Sequence, residues 1–246
     1  MEPKKSEGII LRTRDFGESD RLITVFSSLC GTLKGVAKGA RRSSRRFVNS
    51  LNIFSLVDLQ FSERRSSELV WLDSCELIDG YPGIRSDYNL LPKASFMVEM
   101  TEILFPLNVQ CVEMFQLLKF ALSSISDKKS IEETLTFFQI QAMKIGGFGI
   151  NVSKCGFCGR AYTGKGRALF HPPSGSIVCM ACEKVSALIP GLNPETVDIL
   201  GKLQSSDLPL NDALECEKEI LSELKQVMKA HINYRLGSRL KAAKYL

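Results

Sequence analysis

The sequence predicts an α+β fold: an N-terminal five-stranded barrel of the OB type, then a helical body carrying an inserted four-cysteine zinc ribbon. Three observations predict it. Apolar residues alternate with period two through most of the first eighty positions, and from Asp87 the period lengthens to about 3.6. Two Cys-x-x-Cys pairs, separated by twenty residues, interrupt the helical part.

At 246 residues, with 44% hydrophobic and 24% charged residues, the chain can bury a core and has the length of one large or two ordinary domains. The N-terminal Met-Glu-Pro-Lys-Lys-Ser-Glu-Gly lacks the apolar segment of a signal peptide, and no apolar run approaches the ~18 residues of a membrane helix. Eight cysteines in a long chain without secretory features fit metal or core roles in a reducing compartment better than a disulfide framework. A cytoplasmic location is the expectation.

Five segments read as strands: Glu7 to Arg14, Leu22 to Leu29, Thr32 to Lys38, Ile53 to Ser62 and Glu68 to Leu77. Cys30-Gly31 suits a tight turn between the second and third. Five short strands in about eighty residues suit a small closed barrel, with an SH3-like barrel as the competitor to the OB type. The turn Glu18-Ser19-Asp20-Arg21 reads as a polar turn with an internal ion pair. Between the third and fourth strands lies the most charged stretch of the chain. Lys34 to Arg46 holds six cations in thirteen residues, namely Lys34, Lys38, Arg41, Arg42, Arg45 and Arg46, with no carboxylate. The wider window Arg21 to Val57 contributes +7 to a total of +5, so the rest of the chain sums to −2. Charge this local marks a polyanion site, and the six cations are its candidate binding residues. Of the nearby rings Phe16, Phe26, Phe47, Phe54, Phe61 and Trp71, most belong in the core, and Phe47 is the one expected to be half exposed.

The helical part begins near Pro92, which can open a helix through Leu104. Cys111, Met114, Phe115, Leu118, Ala121, Leu122 and Ile125 then share one helical face. Ser130-Ile-Glu-Glu133 reads as a capping box for a helix with Ile131, Leu135, Phe138, Ala142 and Ile145 on its apolar face, ended by Gly146-Gly147. Asn193-Pro194-Glu195 opens a further helix through Leu203. The last helix begins near Asn211 and runs toward Gly237. Arg235, Arg239, Lys241 and Lys244 form a basic tail, either a second phosphate contact or favourable charge at a helix C-terminus.

Cys155, Cys158, Cys179 and Cys182 have the spacing of a tetrahedral zinc site. Four thiolates leave no open position, so the metal is structural, a scaffold rather than a reagent. Glycines at 156, 159, 164, 166 and 175 supply the turns of a ribbon, with Phe157 and Phe170 as its expected small core. His171 is an alternative ligand or, more simply, a surface residue.

Glu7-Gly-Ile-Ile-Leu-Arg-Thr-Arg-Asp-Phe-Gly-Glu-Ser-Asp-Arg-Leu, then Gly31, Lys38-Gly-Ala-Arg-Arg and Leu51-Asn-Ile-Phe-Ser, resemble the N-terminal pattern of the RecO family of bacterial recombination mediators. The central cysteine quartet fits as well. The resemblance implies an OB domain over 1–82 and a helical domain over 83–246 interrupted by the zinc-binding insertion at 151–184. It also implies a non-enzymatic role in DNA repair: binding single- and double-stranded DNA, annealing complementary strands, and loading RecA in the RecF pathway with RecR and the single-stranded DNA-binding protein SSB, near the nucleoid. The family's basic positions map onto Lys38, Arg41 and Arg42; Lys34, Arg45 and Arg46 extend that set by local charge. The C-terminal residues depart from the family's Lys-Ser-Arg ending. A competing reading is a nucleic-acid-processing enzyme that uses the barrel for substrate capture, and a third is an adaptor whose basic patch recognises acidic protein segments.

Overall fold

The computed structural model describes residues 3–64, 67–183, 189–205, 217–237 and 240–242. The chain divides into two compact units, Met1–Lys128 with Ala242–Leu246, and Lys129–Lys241.

In the first unit, strands β1 (Lys4–Phe16), β2 (Asp20–Ser27), β3 (Gly31–Ala37), β4 (Leu56–Arg64) and β5 (Ser67–Asp79) close a barrel in the order β1-β2-β3-β5-β4. The closure is the OB arrangement, and it rests on two features. β1 is long enough to pair with β4 through Lys4 to Ile9 and with β2 through Gly8 to Phe16, bending where the register shifts between Ile10 and Arg12. β3 and β5 then run parallel through Gly35, Val36 and Ala37 against Val70, Trp71 and Leu72. Gly35 is required at that junction, because a Cβ there would collide with the Leu72 side chain and sit 3.1 Å from the Val70 carbonyl. Inside the barrel, Ile10, Ile23, Val25, Leu33, Val57, Leu59, Phe61 and Leu72 form one buried cluster. Each such side chain stabilises the fold by roughly 1.5–3 kcal/mol relative to exposure.

The fourth strand starts at Leu56 rather than Ile53. Phe54 has φ 74° and donates its N–H to Ile10 O at 2.8 Å, so the chain turns before it extends. The serine-rich link from β3 to β4 contains a short 3-10 turn, Ala40–Arg42, and then sends Phe47 and Leu51 into the barrel cluster. Phe47 is therefore buried, not half exposed, at 5% accessibility. The Cys75 N–H bonding to Arg46 O at 2.9 Å holds the link where it enters.

Helices α1 (Pro82–Ser86), α2 (Leu90–Leu104) and α3 (Val112–Ser126) complete this unit. Phe26 of β2 packs on Phe105 and Phe115, with ring centroids 6.0 and 6.5 Å apart. Ion pairs Arg12–Glu102 and Lys119–Glu7 join the helices to β1.

The second unit packs α4 (Ile131–Ile145) against α5 (Pro194–Ser205) and α6 (Lys218–Leu236), with a small sheet in the order β7-β6-β8. Its strands are β6 (Ala168–His171), β7 (Ser176–Cys179) and β8 (Gly191–Leu192). α4 has the expected bounds, but its capping box is not made: Ser130 has φ 38° and no side-chain cap bond, while the Thr134 N–H donates to Ser130 O at 2.8 Å. Pro194 opens α5 as expected, and the buried Glu223 carboxylate accepts from Asn193 N–H at 2.8 Å and Thr196 Oγ1 at 2.6 Å, anchoring that start to α6. The expected helix start near Asn211 and the tail residues Arg239 and Lys244 lie outside the described residues. No helix of the described residues is long and apolar enough to cross a membrane.

Candidate nucleic-acid interface and metal centre

All six cations from Lys34 to Arg46 are exposed. Lys34 on the third strand and Lys38 just past its end are four residues apart, an even spacing that sends both side chains to one face. Beyond Lys38, Gly39 turns the chain with φ 67°. The β1–β2 turn holds the next residues in place. Asp20 Oδ1 accepts the Gly39 N–H at 2.8 Å and the Arg41 N–H donates to Ser19 O at 3.0 Å. The Gly39 bond, helped by Ser19, keeps the Asp20 carboxyl below the usual carboxylate range. The expected ion pair within the turn is instead shared outward, since Asp15 lies 3.6 Å from Arg21 and 3.5 Å from Arg41.

The six cations are therefore not equivalent. Arg46 donates to Lys38 O at 2.8 Å and Asp73 O at 3.5 Å, and its guanidinium lies 5.1 Å from the Phe47 ring centre, so it braces the loop. Arg41 is held by Asp15 and by Glu18 O at 3.2 Å. Among the described residues no carboxylate pairs with Lys34, Lys38, Arg42 or Arg45. Lys38 Nζ instead lies 4.7 Å from the centre of the Trp71 ring. Trp71 is the residue that charge reasoning passes over. Its signal was the alternation on β5, where buried Val70 and Leu72 flank it and place its ring on the outer face.

In the second unit the backbone folds each Cys-x-x-Cys into a tight turn, with Gly159 N–H donating to Cys155 O at 3.0 Å and Cys182 N–H to Cys179 O at 2.9 Å. The four Sγ atoms of Cys155, Cys158, Cys179 and Cys182 lie within 4.8 Å of one another, and Cys158 and Cys179 are 3.9 Å apart. A tetrahedron with metal–sulfur bonds of about 2.3 Å has sulfur atoms about 3.8 Å apart, so the cluster could hold a metal ion with little adjustment. Burial opposes ionisation of Cys155, but N–H groups of Cys158, Cys179 and Phe157 outweigh it and bring the thiol down to about 6. Cys182, facing Cys179 and Cys158, is pushed up to about 12. Four thiols this close cannot all ionise unaided, and a bound cation removes the conflict.

His171 is not among the clustered ligands; its Nδ1 is 3.1 Å from Ser174 Oγ, and its ring meets Phe157 edge-on at 4.8 Å. The expected Phe157–Phe170 core is not formed. Phe157 is 49% exposed, and Cys155, Leu169 and Val178 form the small core instead.

The profile described as Recombination protein O N terminal matches residues 1–81, and Recombination protein O C terminal matches residues 85–244. A DNA repair protein RecO from Syntrophus aciditrophicus is 29% identical over 250 residues, covering 98% of this chain and 94% of that protein. Namesakes from Syntrophobacter fumaroxidans and Geobacter metallireducens are 37% and 31% identical, covering 76% and 82% of this chain and 75% and 80% of theirs.

Proposed function

The chain belongs to the RecO family of DNA repair proteins, and from that premise we propose that it binds single- and double-stranded DNA and anneals complementary strands without catalysing a covalent step. The observation that carries this reading is the exposed, carboxylate-free loop pinned to a rigid barrel beside the half-buried Trp71 ring. Lys34, Lys38, Arg42 and Arg45 meet phosphates; Arg41 and Arg46 shape the loop and contribute field. Trp71 offers a base a stacking face, worth ~1–3 kcal/mol in single-strand binders. Cations that neutralise two converging strands release their counterions, so complementary bases meet without mutual phosphate repulsion. Base pairing then supplies the specificity. In the repair pathway this activity loads RecA onto strands covered by SSB, in concert with RecR.

The four cysteines hold zinc in this reading, because an all-thiolate tetrahedral set selects it over harder divalent ions. The metal keeps the ribbon folded. The enzymatic alternative is less well supported, since among the described residues the cysteine quartet is the one cluster of metal-ligating groups, and four ligands leave no open position for a substrate.

The test mixes the protein with complementary single strands, without nucleotide or magnesium. Annealing should accelerate, and Lys38→Ala/Arg42→Ala/Arg45→Ala should flatten the slope of log affinity against log salt for oligo-dT by about 2, at ~0.7 per single-strand contact. Strand cleavage when magnesium is restored, or an unchanged slope, would overturn the reading.

A further inference from the structure

We propose that the ribbon carries a second single-stranded DNA contact, a phosphate cradle formed by Arg160, Lys165 and Arg167. This rests on the DNA-binding reading above but uses none of the barrel's residues. The starting observation is charge. Residues 151–184 contain Lys154, Arg160, Lys165, Arg167 and Lys184 against one carboxylate, Glu183. A divalent ion on four thiolates leaves two negative charges, so five cations face three negative charges. Among the described residues Lys154, Arg160 and Lys165 form no ion pair, whereas a ribbon that served only as scaffold would be expected to mix both signs on its surface.

Three of these cations line one cavity of about 220 Å³, together with Tyr162, Thr163 and two of the clustered cysteines, Cys155 and Cys179. The volume falls below the roughly 300 Å³ at which sites for whole small molecules begin, so the cavity suits one phosphate-sized group and not a cofactor. Its walls are pre-organised. Cys155 N–H donates to Arg160 O and Tyr162 N–H to Ser153 O, each at 2.8 Å, which pins Arg160 and Tyr162 in a short antiparallel link. Lys165 stands between Gly164 and Gly166, both at φ 74°, in a turn that Tyr162 Oη closes by donating to Gly166 O at 2.8 Å. Arg167 gives one of its five donors to Glu223 Oε1 at 3.3 Å while its side chain stays 58% exposed.

Two further side chains favour a nucleic-acid strand over an acidic peptide. The Cys-x-x-Cys turns each expose a large apolar side chain, Phe157 and Met180, both at 49% accessibility. Exposed apolar side chains on the same ribbon as phosphate-binding cations match a polymer that alternates charged backbone with flat bases.

The experiment compares Arg160→Gln/Lys165→Gln with wild type in oligo-dT titrations over a range of salt, with metal content measured on each preparation. The double variant should retain its metal and lose about 1.4 from the log–log salt slope, at ~0.7 per contact, while Lys165→Arg keeps the wild-type slope. An unchanged slope at unchanged metal content, with the barrel triple variant still flattened, overturns the cradle and leaves the DNA-binding reading standing. A wild-type protein without a salt slope sinks both. Should the double variant lose metal, Lys165→Gln alone, in its exposed turn, is read instead: a loss of about 0.7 sustains the proposal and no loss overturns it. Weakened binding of an acidic peptide with oligo-dT binding intact would also overturn it.

Discussion

Arg45 and Arg46 are adjacent, equally charged and both exposed, yet the structure gives them different work. Arg46 spans the loop, donating to Lys38 O and Asp73 O, whereas Arg45 has no carboxylate partner among the described residues. Losing a hydrogen bond of this kind costs about 1 kcal/mol, and substituting an unengaged surface cation changes stability by less than about 0.5 kcal/mol. Arg46→Ala should therefore lower the urea midpoint of the barrel unit, and Arg45→Ala should leave it in place while weakening DNA binding. Equal midpoints for the two variants would remove the brace. Charge density was legible from Lys34 to Arg46, but the division of labour was not, because it depends on carbonyls brought in by β3 and β5. Phe47 and Trp71 carry the same lesson. Proximity to arginines suggested exposure for Phe47, but the link's path into the barrel buries it, while strand alternation would have placed Trp71 correctly outside.

At the scale of elements, all five strands were visible because each sends apolar side chains into the barrel core, although strict period two is lost in β1, β2 and β3, where neighbouring residues are buried on both faces. Their ends were less visible. β4 begins late because of a positive φ at Phe54, a conformation that nothing in Ile53-Phe54-Ser55 announces. Ser130 has the residue type of a capping box but sits in the left-handed region, so its side chain makes no cap bond. The cysteine quartet was legible in full, since metal geometry constrains spacing directly. If the site holds zinc, as proposed, the ribbon depends on its metal, because among the described residues its buried cluster is Cys155, Leu169 and Val178 with Cys179 and Ile189 packed against them. Structural zinc in small domains contributes on the order of 10–16 kcal/mol apparent at neutral pH. Cys155→Ser should release the metal and open residues 155–182 to limited proteolysis, while the barrel, with its separate core, stays resistant. A variant that keeps about one metal per chain and a protected ribbon would remove the structural assignment.

At the scale of the whole chain, a division into two compact units implies that unfolding need not follow one transition, and each step can be assigned by its own titrating group. His231 marks the second unit. Its Nε2 lies 2.7 Å from Phe148 O, an acceptor, so Nε2 carries the proton; Nδ1 is buried and has no hydrogen-bond partner among the described residues. Its ring meets Phe170 edge-on at 5.4 Å. Burial, reinforced by the nearby Arg235 charge and only partly offset by the Phe148 bond, lowers its pKa from 6.5. Below pH 6.5 the unfolded chain therefore takes up a proton that the folded unit refuses, so the unfolded state binds more protons and stability falls as pH falls toward the depressed folded value. Above pH 6.5 both states are neutral and this contribution is flat. His231→Gln, which keeps an N–H for Phe148, should lose less stability than wild type between pH 6.5 and about 5.5. Cysteine protonation also weakens metal binding in acid, but it acts on both proteins and drops out of their difference. Urea titrations at several pH values, with tryptophan emission following the first unit through Trp71 and hydrogen exchange read on peptides of α4, α5 and α6 following the second, separate the steps. If the second-unit step of wild type and His231→Gln shifts in parallel with pH, His231 is not the titrating group.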